Sequence, residues 1–361
     1  MKLSFCVPVH NRSGCLPQCL ESLLDQTLSA DDYEIIVVDD GSTDTSAQVA
    51  KDLFAARGFA HGVVHRLETN SGGASVPRNE AVRLARGDYL FFVDSDDCVA
   101  PELAERVWAW ALANDADVVY VKYCHGGIEA PGGLEPPRGF AEHGSLARAD
   151  VIDDKLLYAT MVHKAFRRSR WLALGLQFDP QIRVYEDLLV TVQFLFGGDE
   201  SMTAPRCAVL ADQGYYLLMN RPVTRLHEVI EPLDATFRLY SQVLDVIVGS
   251  RHWDETYRLR AAAVIVNRIM RFGPVATHPY LERACAPDQA RAWLARWGDL
   301  LARHLPIAAD QFVSPDLRNH VKALRRRSRG AARLAVWIER LRPRHLTLAR
   351  LFRRGLAVVL G

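Results

Sequence analysis

The sequence lacks several features that would assign a protein to a class at once. No apolar run is long enough to span a membrane, and Pro8 and His10 interrupt the first apolar stretch, so we expect no secretory signal. The seven cysteines form no Cys-x-x-Cys pair and no regular spacing, which argues against a disulfide framework and favours reduced thiols in the cytoplasm. The G-x-G-x-x-G fingerprint of dinucleotide-binding proteins is also absent. With 361 residues, 49% hydrophobic and 24% charged, the chain is predicted to fold as one large domain or two ordinary ones.

The net charge of +1 conceals an uneven distribution of charge along the chain. Residues 322–361 contain 12 Lys and Arg residues and one acidic residue, whereas the rest of the chain contains 32 basic and 42 acidic residues. Such a basic tail predicts an anionic partner. Its segment 344–360 mixes arginines with Leu, Phe and Val, which indicates either peripheral contact with an anionic membrane or a helix that packs against another subunit. We expect no nucleic-acid partner, because the body is acidic and carries no nucleic-acid-binding motif.

Short apolar runs alternate with amphipathic stretches through the first 125 residues. The runs at 3–9, 34–39, 63–67, 89–93 and 118–122 predict strands, and the stretches at 14–26, 44–57, 77–86 and 101–114 predict helices. Strands that alternate with helices of this length are typical of βαβ units. The predicted fold class is therefore α/β, with a Rossmann-like, mainly parallel sheet flanked by helices.

The strand signal fades in the second half of the chain. Residues 126–144 are rich in Gly and Pro and predict a loop, whereas helices are predicted at 156–174, 188–196, 239–248, 257–272 and 290–304. We therefore expect three regions, which are an α/β domain at residues 1–230, a helical C-terminal domain at 231–321 and the basic amphipathic tail at 322–361.

Polar residues that directly follow strands are the first candidates for a site, because ligands of an open parallel sheet bind at the carboxyl ends of its strands. Pro8, Val9 and His10 end the first strand, and Asp40 follows the second. The Asp40 carboxylate can accept hydrogen bonds from a nucleobase or a ribose. The segment Asp-Gly-Ser-Thr-Asp is equally good chemistry for a turn and a helix cap, so both interpretations stay open.

The fourth strand is followed by Asp94, Ser95, Asp96 and Asp97. Three carboxylates on four consecutive residues repel one another unless a cation or hydrogen-bond donors compensate them. Hard divalent ions take oxygen ligands, and Mg²⁺ commonly uses one or two carboxylates together with substrate phosphates. The run therefore predicts a site for Mg²⁺ or Mn²⁺. Helix capping is the alternative, although it needs one acid rather than three.

Two further segments complete the predicted site. Asn70 and Arg78 flank a Gly-Gly segment before a predicted helix, where close backbone approach, a helix N-terminus and a guanidinium suit a phosphate; a flexible loop with a surface arginine is the alternative. Glu186 and Asp187 directly precede the helix predicted at 188–196 and are the best candidates for a catalytic base, although two acids at a helix start also complement the helix dipole. Together these residues predict a site for a nucleotide diphosphate.

Several linked motifs resemble those of the family-2 glycosyltransferases, which have a GT-A fold. They are PVHN, SLLDQT, YEIIVVDDGSTD, NSGGASVPRNEA and GDYLFFVDSDD. A longer resemblance, to the wall teichoic acid transferases that add N-acetylglucosamine to poly(ribitol phosphate), runs to about residue 220 through LETNSGG, ARADVIDD, HKAFRRS, YEDLLVTVQFL and GYYLLMN. The sequence departs from that pattern at Tyr185, where the family has a small residue, and the basic tail has no clear counterpart there.

The resemblance implies roles in donor binding and catalysis. Asp96 would be the direct metal ligand, Asp187 the general base and Glu186 its neighbour. The implied nucleotide-sugar-binding set is Pro8, Val9, His10, Asp40, Asn70, Arg78, Asp94, Ser95 and Asp96.

The resemblance also implies roles beyond the first two hundred residues. His227 would lie near the diphosphate as a second metal ligand, or is a surface histidine. Arg268 and Arg271 would bind an anionic acceptor, or are ordinary solvated arginines of a helix. The family's trimeric assembly implies a homo-oligomer, although the basic tail puts the trimer in doubt.

These roles predict an inverting, metal-dependent transfer of a sugar from a UDP-sugar to a hydroxyl group. The sugar most favoured is N-acetylglucosamine, and the acceptor is a polyol-phosphate polymer such as poly(ribitol phosphate). The alternatives are another UDP-sugar, a capsular or other surface polysaccharide as acceptor, or a polymer-binding scaffold without activity. We expect the protein to be cytoplasmic or peripheral at the inner face of the membrane.

Overall fold

The computed structural model describes residues 1–125, 145–153, 156–158, 161–182, 185–219, 233–272 and 287–315, and residue 321. The chain divides into two compact units. The first comprises Met1–Ala235 and Ser250–His252, and the second comprises Thr236–Gly249 and Trp253–Gly361. The loop predicted at 126–144 and the basic tail at 322–361 lie outside the described residues. The division into regions 1–230, 231–321 and 322–361 stays a prediction.

The first unit alternates strands and helices. Its strands are β1 (Leu3–Val9), β2 (Tyr33–Asp39), β3 (Gly62–Arg66), β4 (Tyr89–Phe92), β5 (Cys98–Val99), β6 (Val118–Val121), β7 (Tyr123–His125), β8 (Lys164–Arg167), β9 (Cys207–Leu210) and β10 (Tyr216–Leu218). Its helices are α1 (Leu16–Leu24), α2 (Ser46–Ala56), α3 (Ser75–Leu84), α4 (Leu103–Ala113), α5 (Arg168–Ala173) and α6 (Glu186–Phe196). The elements predicted in the first 125 residues are confirmed, with bounds that differ by a few residues.

A seven-stranded sheet organises this unit, in the order β3-β2-β1-β4-β8-β6-β9. Strands β3, β2, β1 and β4 are parallel, as are β6 and β9. All seven residues of β2 are buried, as a β-branched run between two layers of helices requires. The prediction of a mainly parallel α/β sheet flanked by helices is therefore confirmed.

The prediction of one continuous helix at 156–174 is wrong in its central part. Two short 3₁₀ turns, Leu156–Tyr158 and Met161–His163, lead into β8, and only Arg168–Ala173 is α-helical. Strand β8 lies between β4 and β6 and is antiparallel to both, with Leu90 opposite Phe166 and Val119 opposite Ala165. Its hydrogen-bond partners are strands far away in sequence, so the local apolar spacing did not reveal them.

A small second sheet lies beside the end of β4. It has the order β5-β10-β7, with β10 antiparallel to β5 and parallel to β7. Tyr216 pairs with Val99 and Leu217 pairs with Cys98. Because only five residues separate β4 from β5, this sheet fixes the far side of the loop that contains Asp94 and Asp96.

The second unit is helical in its described part, as predicted. It contains α7 (Leu233–Gly249) from Thr236 onward, α8 (Glu255–Phe272) and α9 (Pro287–His304), followed by the 3₁₀ turn Ile307–Phe312. The core includes Leu244 of α7, Ile265 of α8 and Trp297 of α9, each fully buried. Within the part of the chain that the structure describes, no helix is both long and apolar enough to cross a membrane.

Candidate functional site

The predicted site residues meet along one edge of the large sheet. Val9 at the end of β1 is opposite Asp39 at the end of β2, and the Val93 N–H after β4 donates to the Cys6 carbonyl of β1 at 3.0 Å. Parallel strands that share a register also end together, so the residues following β1, β2 and β4 lie side by side.

The residues after β1 and β2 form a first group, which we call the Asp40 cluster: His10, Asp40, Asn70 and Ser71. The buried Asp40 carboxylate accepts hydrogen bonds from the Ser71 backbone N–H and from the Ser71 hydroxyl, both at 2.9 Å. The Asp40 N–H donates to the Val9 carbonyl at 2.8 Å, which ties the end of β2 to that of β1. The cluster is thus held in place by side chain and backbone alike.

His10 connects Asp40 to Asn70. Its Nδ1 lies 2.8 Å from the Asp40 carbonyl oxygen, and its Nε2 lies 2.7 Å from the Asn70 side-chain nitrogen. The same Asn70 nitrogen also lies 2.9 Å from Nδ1, so it contacts both ring nitrogens, and a proton on Nδ1 would serve the contact to the Asp40 carbonyl oxygen. Asn70 and His10 therefore lie together at the strand ends, as the hypothesis of a nucleoside site requires.

Gly41 makes the close approach of these segments possible. Its φ is +61°, and a Cβ at this position would lie 2.6 Å from the Asn70 backbone nitrogen. A larger residue would therefore be strained in its own backbone and would push the chain at Asn70 away from Asp40.

Arg78 joins two carboxylates that are 92 residues apart in sequence. Its Nη2 donates to Asp94 Oδ1 at 3.0 Å and its Nη1 donates to Glu186 Oε1 at 2.6 Å, and the guanidinium lies 5.6 Å from the centre of the Phe178 ring. We call Asp94, Arg78 and Glu186 the carboxylate bridge. It brings the acidic pair at the start of α6 to the aspartates at the end of β4.

Burial and the opposite charges of its members shift the pKa values of Arg78 and Glu186 in the bridge. Arg78 is only 5% exposed. Burial alone would lower its pKa, but the Asp94 and Glu186 carboxylates outweigh that effect and raise it. Burial raises the pKa of Glu186, while Arg78 opposes that rise. Arg78 thus stays charged and lets Glu186 ionise in a poorly solvated place.

Asp187 lies beside this bridge at the N-terminus of α6. Its Oδ2 accepts a hydrogen bond from the Met161 backbone N–H at 3.1 Å, and within the described part of the chain no group hydrogen-bonds to its Oδ1. The preceding residue, Tyr185, has a left-handed backbone with φ of +62° and is 46% exposed. The helix N-terminus and the fixed Oδ2 orient a half-buried carboxylate with one oxygen available.

A buried lysine of β8 interacts electrostatically with Asp187. Lys164 is fully buried, and its Nζ lies 5.1 Å from the centre of the Tyr120 ring. Burial lowers the pKa of Lys164 to about 7, and the negative charge of Asp187 opposes that shift. Sequence reasoning missed Lys164, because a lysine in a central strand carries no signal of its burial.

Ser95 and Asp96 complete the loop after β4. Ser95 is buried, whereas Asp96 is half-buried, and in the described residues neither a hydrogen bond nor an ion pair engages its carboxylate. The part of the chain that the structure describes contains no group of three His, Cys, Asp or Glu side chains able to hold a metal ion. One available carboxylate beside Asp94 still fits Mg²⁺ or Mn²⁺, because such ions commonly take only one or two protein carboxylates when phosphates supply other ligands.

Asp97 ends the acidic run of this loop and contacts Tyr216 of β10, a residue that the sequence analysis did not single out. The Tyr216 hydroxyl donates to Asp97 Oδ2 at 2.8 Å and accepts from the Asp94 N–H at 3.1 Å. Burial raises the pKa of Asp97 to about 7, although a hydrogen bond from the Met219 N–H opposes the shift. The sequence signal for Asp97 was that it is the third carboxylate within four residues, and nothing in the spacing pointed to Tyr216.

Three predicted residues cannot be related to this geometry. His227 lies outside the described residues, and the side chains of Arg268 and Arg271 on α8 also lie outside what the structure describes. Their roles as metal ligand and acceptor-binding residues stay predictions.

The mainly parallel sheet, with the candidate site at its strand ends, is typical of open α/β proteins that bind ligands at that edge. Residues 4–169 match the family described as glycosyl transferase family 2. The chain therefore carries a domain of the family-2 glycosyltransferases, as the motifs indicated.

Two relatives that are named as poly(ribitol-phosphate) glycosyltransferases match most of the chain. It is 28% identical over 88% of its length to a poly(ribitol-phosphate) beta-glucosyltransferase of Bacillus spizizenii, of which it covers 47%. It is 26% identical over 90% of its length to the poly(ribitol-phosphate) beta-N-acetylglucosaminyltransferase TarP of Staphylococcus aureus, of which it covers 95%. The chain thus spans about half the length of the Bacillus relative and nearly all of TarP.

The same architecture occurs in a solved structure. The crystal structure of S. aureus TarS residues 1–349 in complex with UDP-GlcNAc superposes with a TM-score of 0.77 over 90% of this chain and 87% of that one, at 24% identity. At this level of identity the likeness establishes the shared GT-A fold.

Proposed function

We propose that the protein is an inverting, metal-dependent glycosyltransferase that moves a sugar from a UDP-sugar to a hydroxyl group of an anionic polymer. The observation that carries the proposal is the carboxylate bridge, through which Arg78 joins Asp94 after β4 to Glu186 beside Asp187. Arg78 thereby brings carboxylates from distant parts of the chain together at one site. The matching family and the names of the relatives support the same activity.

In this proposal the Asp40 cluster binds the nucleoside. The Asp40 carboxylate, oriented by Ser71, accepts from the base, while Pro8 and Val9 line the strand end and His10 fixes Asn70. Asp96 with Asp94 would hold Mg²⁺ or Mn²⁺, with His227 as a further candidate ligand. A bound ion would supply Lewis-acid stabilisation of the negative charge on the departing diphosphate.

Asp187 is the proposed general base. Met161 holds one oxygen of its carboxylate, and the second oxygen takes the proton of the acceptor hydroxyl as that hydroxyl attacks the anomeric carbon. Attack from the face opposite the UDP leaving group inverts the configuration in one displacement. A positioned base of this kind contributes roughly 10²–10⁴-fold to the rate.

Arg78 acts mainly on the protein's own carboxylates in this scheme. Asp94 and Glu186 each engage one terminal nitrogen, which leaves three of its five N–H donors for the contact with a diphosphate that the sequence suggested. Its positive charge still favours an anion nearby.

The donor sugar and the acceptor are inferred from the relatives. N-acetylglucosamine and poly(ribitol phosphate) fit the name of TarP, while the Bacillus relative is named a glucosyltransferase, so another UDP-sugar is the alternative donor. A capsular or other surface polysaccharide is the alternative acceptor. A scaffold without activity is disfavoured, because Asp94, Asp96, Glu186 and Asp187 are all retained.

Assembly and location remain proposals that rest on the sequence. The homo-oligomer, the cytoplasmic location and the contact of the basic tail with the inner face of a membrane concern segments or partners outside the described residues. Co-sedimentation with anionic vesicles, with and without residues 322–361, tests the membrane contact. Equal recovery of both proteins in the supernatant would refute it.

The proposed activity is tested by incubating the protein with a panel of UDP-sugars, with and without Mn²⁺, and measuring UDP release with and without polymer acceptor. We expect metal-dependent release for one donor. Asp187→Asn should abolish turnover and preserve UDP binding, whereas Asp52→Asn, at an exposed aspartate of α2, should leave both unchanged. A near-normal rate in Asp187→Asn would refute its role, and no turnover of any donor would refute the activity.

A further inference from the structure

The loop that follows β4 is fixed by a hydrogen-bonded group that none of the roles above uses. Asp97 is only 6% exposed and directly follows Asp96. Its Oδ2 accepts from the Tyr216 hydroxyl at 2.8 Å, and its Oδ1 accepts from the Met219 backbone N–H at 3.0 Å. Both carboxylate oxygens are therefore engaged by donors of the protein, unlike the carboxylate of Asp96.

Tyr216 carries the connection back to the first aspartate of the loop. It is fully buried on β10, and its hydroxyl accepts from the Asp94 N–H at 3.1 Å while donating to Asp97. The Asp97 N–H closes a turn by donating to the Asp94 carbonyl at 3.0 Å. Asp94, Asp97 and Tyr216 thus form a closed ring of hydrogen bonds around Ser95 and Asp96, which we call the Tyr216 latch.

The latch separates two kinds of carboxylate in one acidic run. Asp94 and Asp96 are partly exposed, whereas Asp97 is buried and satisfied by neutral donors. Because Asp97 is buried and both of its oxygens already accept from protein donors, it is less accessible to a cation than Asp94 and Asp96 are. Its contacts instead set the backbone from which Asp94 and Asp96 project.

We propose that Asp97 and Tyr216 are positioning residues, which hold the Asp94–Asp96 backbone in the conformation that binds the divalent ion and the diphosphate. This inference rests on the proposed function. Without the Tyr216 hydroxyl, the Asp94 N–H and one oxygen of Asp97 lose their partner, and the loop must find other contacts. Site geometry relaxed in this way is expected to weaken metal-dependent binding of UDP by about tenfold.

The adjacent tyrosine offers a matched control. Tyr215 is also fully buried on the same stretch of chain, but its hydroxyl donates to Asp212 at 2.8 Å and accepts from Arg106 at 3.2 Å. Tyr215→Phe and Tyr216→Phe each remove one hydrogen-bonded hydroxyl from neighbouring positions. Only the second removes a contact to the loop of Asp94 and Asp96.

The experiment measures UDP affinity by calorimetry at a series of Mn²⁺ concentrations, together with thermal unfolding, for the full chain and both variants. We expect Tyr216→Phe to raise the half-saturating Mn²⁺ concentration about tenfold and Tyr215→Phe to leave it unchanged at a comparable loss of thermal stability. An unchanged Mn²⁺ requirement in Tyr216→Phe overturns the inference. An equal effect of Tyr215→Phe also overturns it, because the cause is then general destabilisation.

A second variant keeps the test available if Tyr216→Phe does not fold. Asp97→Asn retains one acceptor for the Met219 N–H, but its amide nitrogen cannot accept from Tyr216, so the same shift in Mn²⁺ requirement is expected. A wild-type requirement in this variant overturns the inference. Absence of Mn²⁺-dependent UDP binding in the wild-type protein overturns the proposed function and this inference with it, whereas normal wild-type binding with unaffected variants overturns the inference alone.

Discussion

Replacing Arg78 with methionine keeps a long side chain in place but removes the positive charge from the carboxylate bridge. The Glu186 carboxylate, with 13% of its side chain exposed, then loses its ion pair at 2.6 Å. Removing one partner of a buried pair typically costs about 3–5 kcal/mol, because the other charge is left uncompensated. Asp94 is 41% exposed, so its loss of Arg78 adds less than about 1 kcal/mol.

The expected result for Arg78→Met is therefore a loss of about 3–5 kcal/mol in the free energy of unfolding, nearly all of it through Glu186. Glu186→Gln in the same protein neutralises the stranded carboxylate and should recover most of that loss. Arg78→Lys should recover part, because one ammonium cannot bridge two carboxylates as a guanidinium does.

Urea unfolding of the single and double variants measures these free energies as shifts of the midpoint at constant slope. Arg83→Met is the control on the same helix, since Arg83 is 65% exposed and pairs with Glu80 one turn away. It should cost much less than Arg78→Met, because an exposed ion pair contributes little to stability. If Arg78→Met matched this control, or if Glu186→Gln failed to recover stability, the bridge would not be the buried charge pair described above.

Three further variants probe other parts of the site. Gly41→Ala should lower stability by about 1–3 kcal/mol and weaken UDP binding, because its Cβ would lie 2.6 Å from the Asn70 backbone nitrogen at a φ of +61°. A wild-type unfolding temperature together with a wild-type calorimetric affinity for UDP would contradict this prediction. Asp96→Ala should weaken UDP binding in Mn²⁺ and leave binding without metal unchanged, and equal calorimetric affinities with Mn²⁺ would count against Asp96 as a ligand. The folded pKa of Lys164, about 7, lies below its unfolded value of roughly 10.4, so the folded state binds fewer protons between these values and wild-type stability should rise with pH across that window. Urea unfolding between pH 7 and 10 measures the free energy of unfolding, and Lys164→Met should remove its rise with pH. The same dependence on pH in both proteins would contradict this prediction.

The part of the fold with strong local signals was predictable from the sequence. Strand β2 has a β-branched centre, Ile35 to Val38, and is buried along its whole length, and helices α1 and α4 each bury one apolar face. Each pattern arises from burial of the segment's own residues. Period and length were therefore sufficient to predict the alternating α/β order.

Strand β8 carries no comparable signal. It has four residues, of which Lys164 and Arg167 are basic, and it is buried only because β4 and β6 lie on either side. Leu156, Leu157 and Met161 before it have a spacing that also suits a helix. The pairing that decides the structure is between segments more than forty residues apart, which local spacing does not encode.

Some residues of the candidate site were likewise predictable from the sequence, and others were not. The carboxylates at the strand ends were predictable, because a run such as Asp94 to Asp97 is costly unless something compensates it. The partners were not, since Arg78 reaches Glu186 across 108 residues and Tyr216 reaches Asp97 across 119. The sequence therefore indicated which groups carry the chemistry, while the contacts that orient them required the fold.

The insertion of β8 has a consequence for how the protein is made. Until residues 164–167 have left the ribosome, β4 and β6 have no neighbour on their facing edges, and the nascent sheet exposes unpaired backbone groups for more than forty residues of synthesis. A fragment that stops before β8 should consequently aggregate, whereas one that ends after Arg167 has its central pairing complete. The family match ends at residue 169, directly beyond that strand.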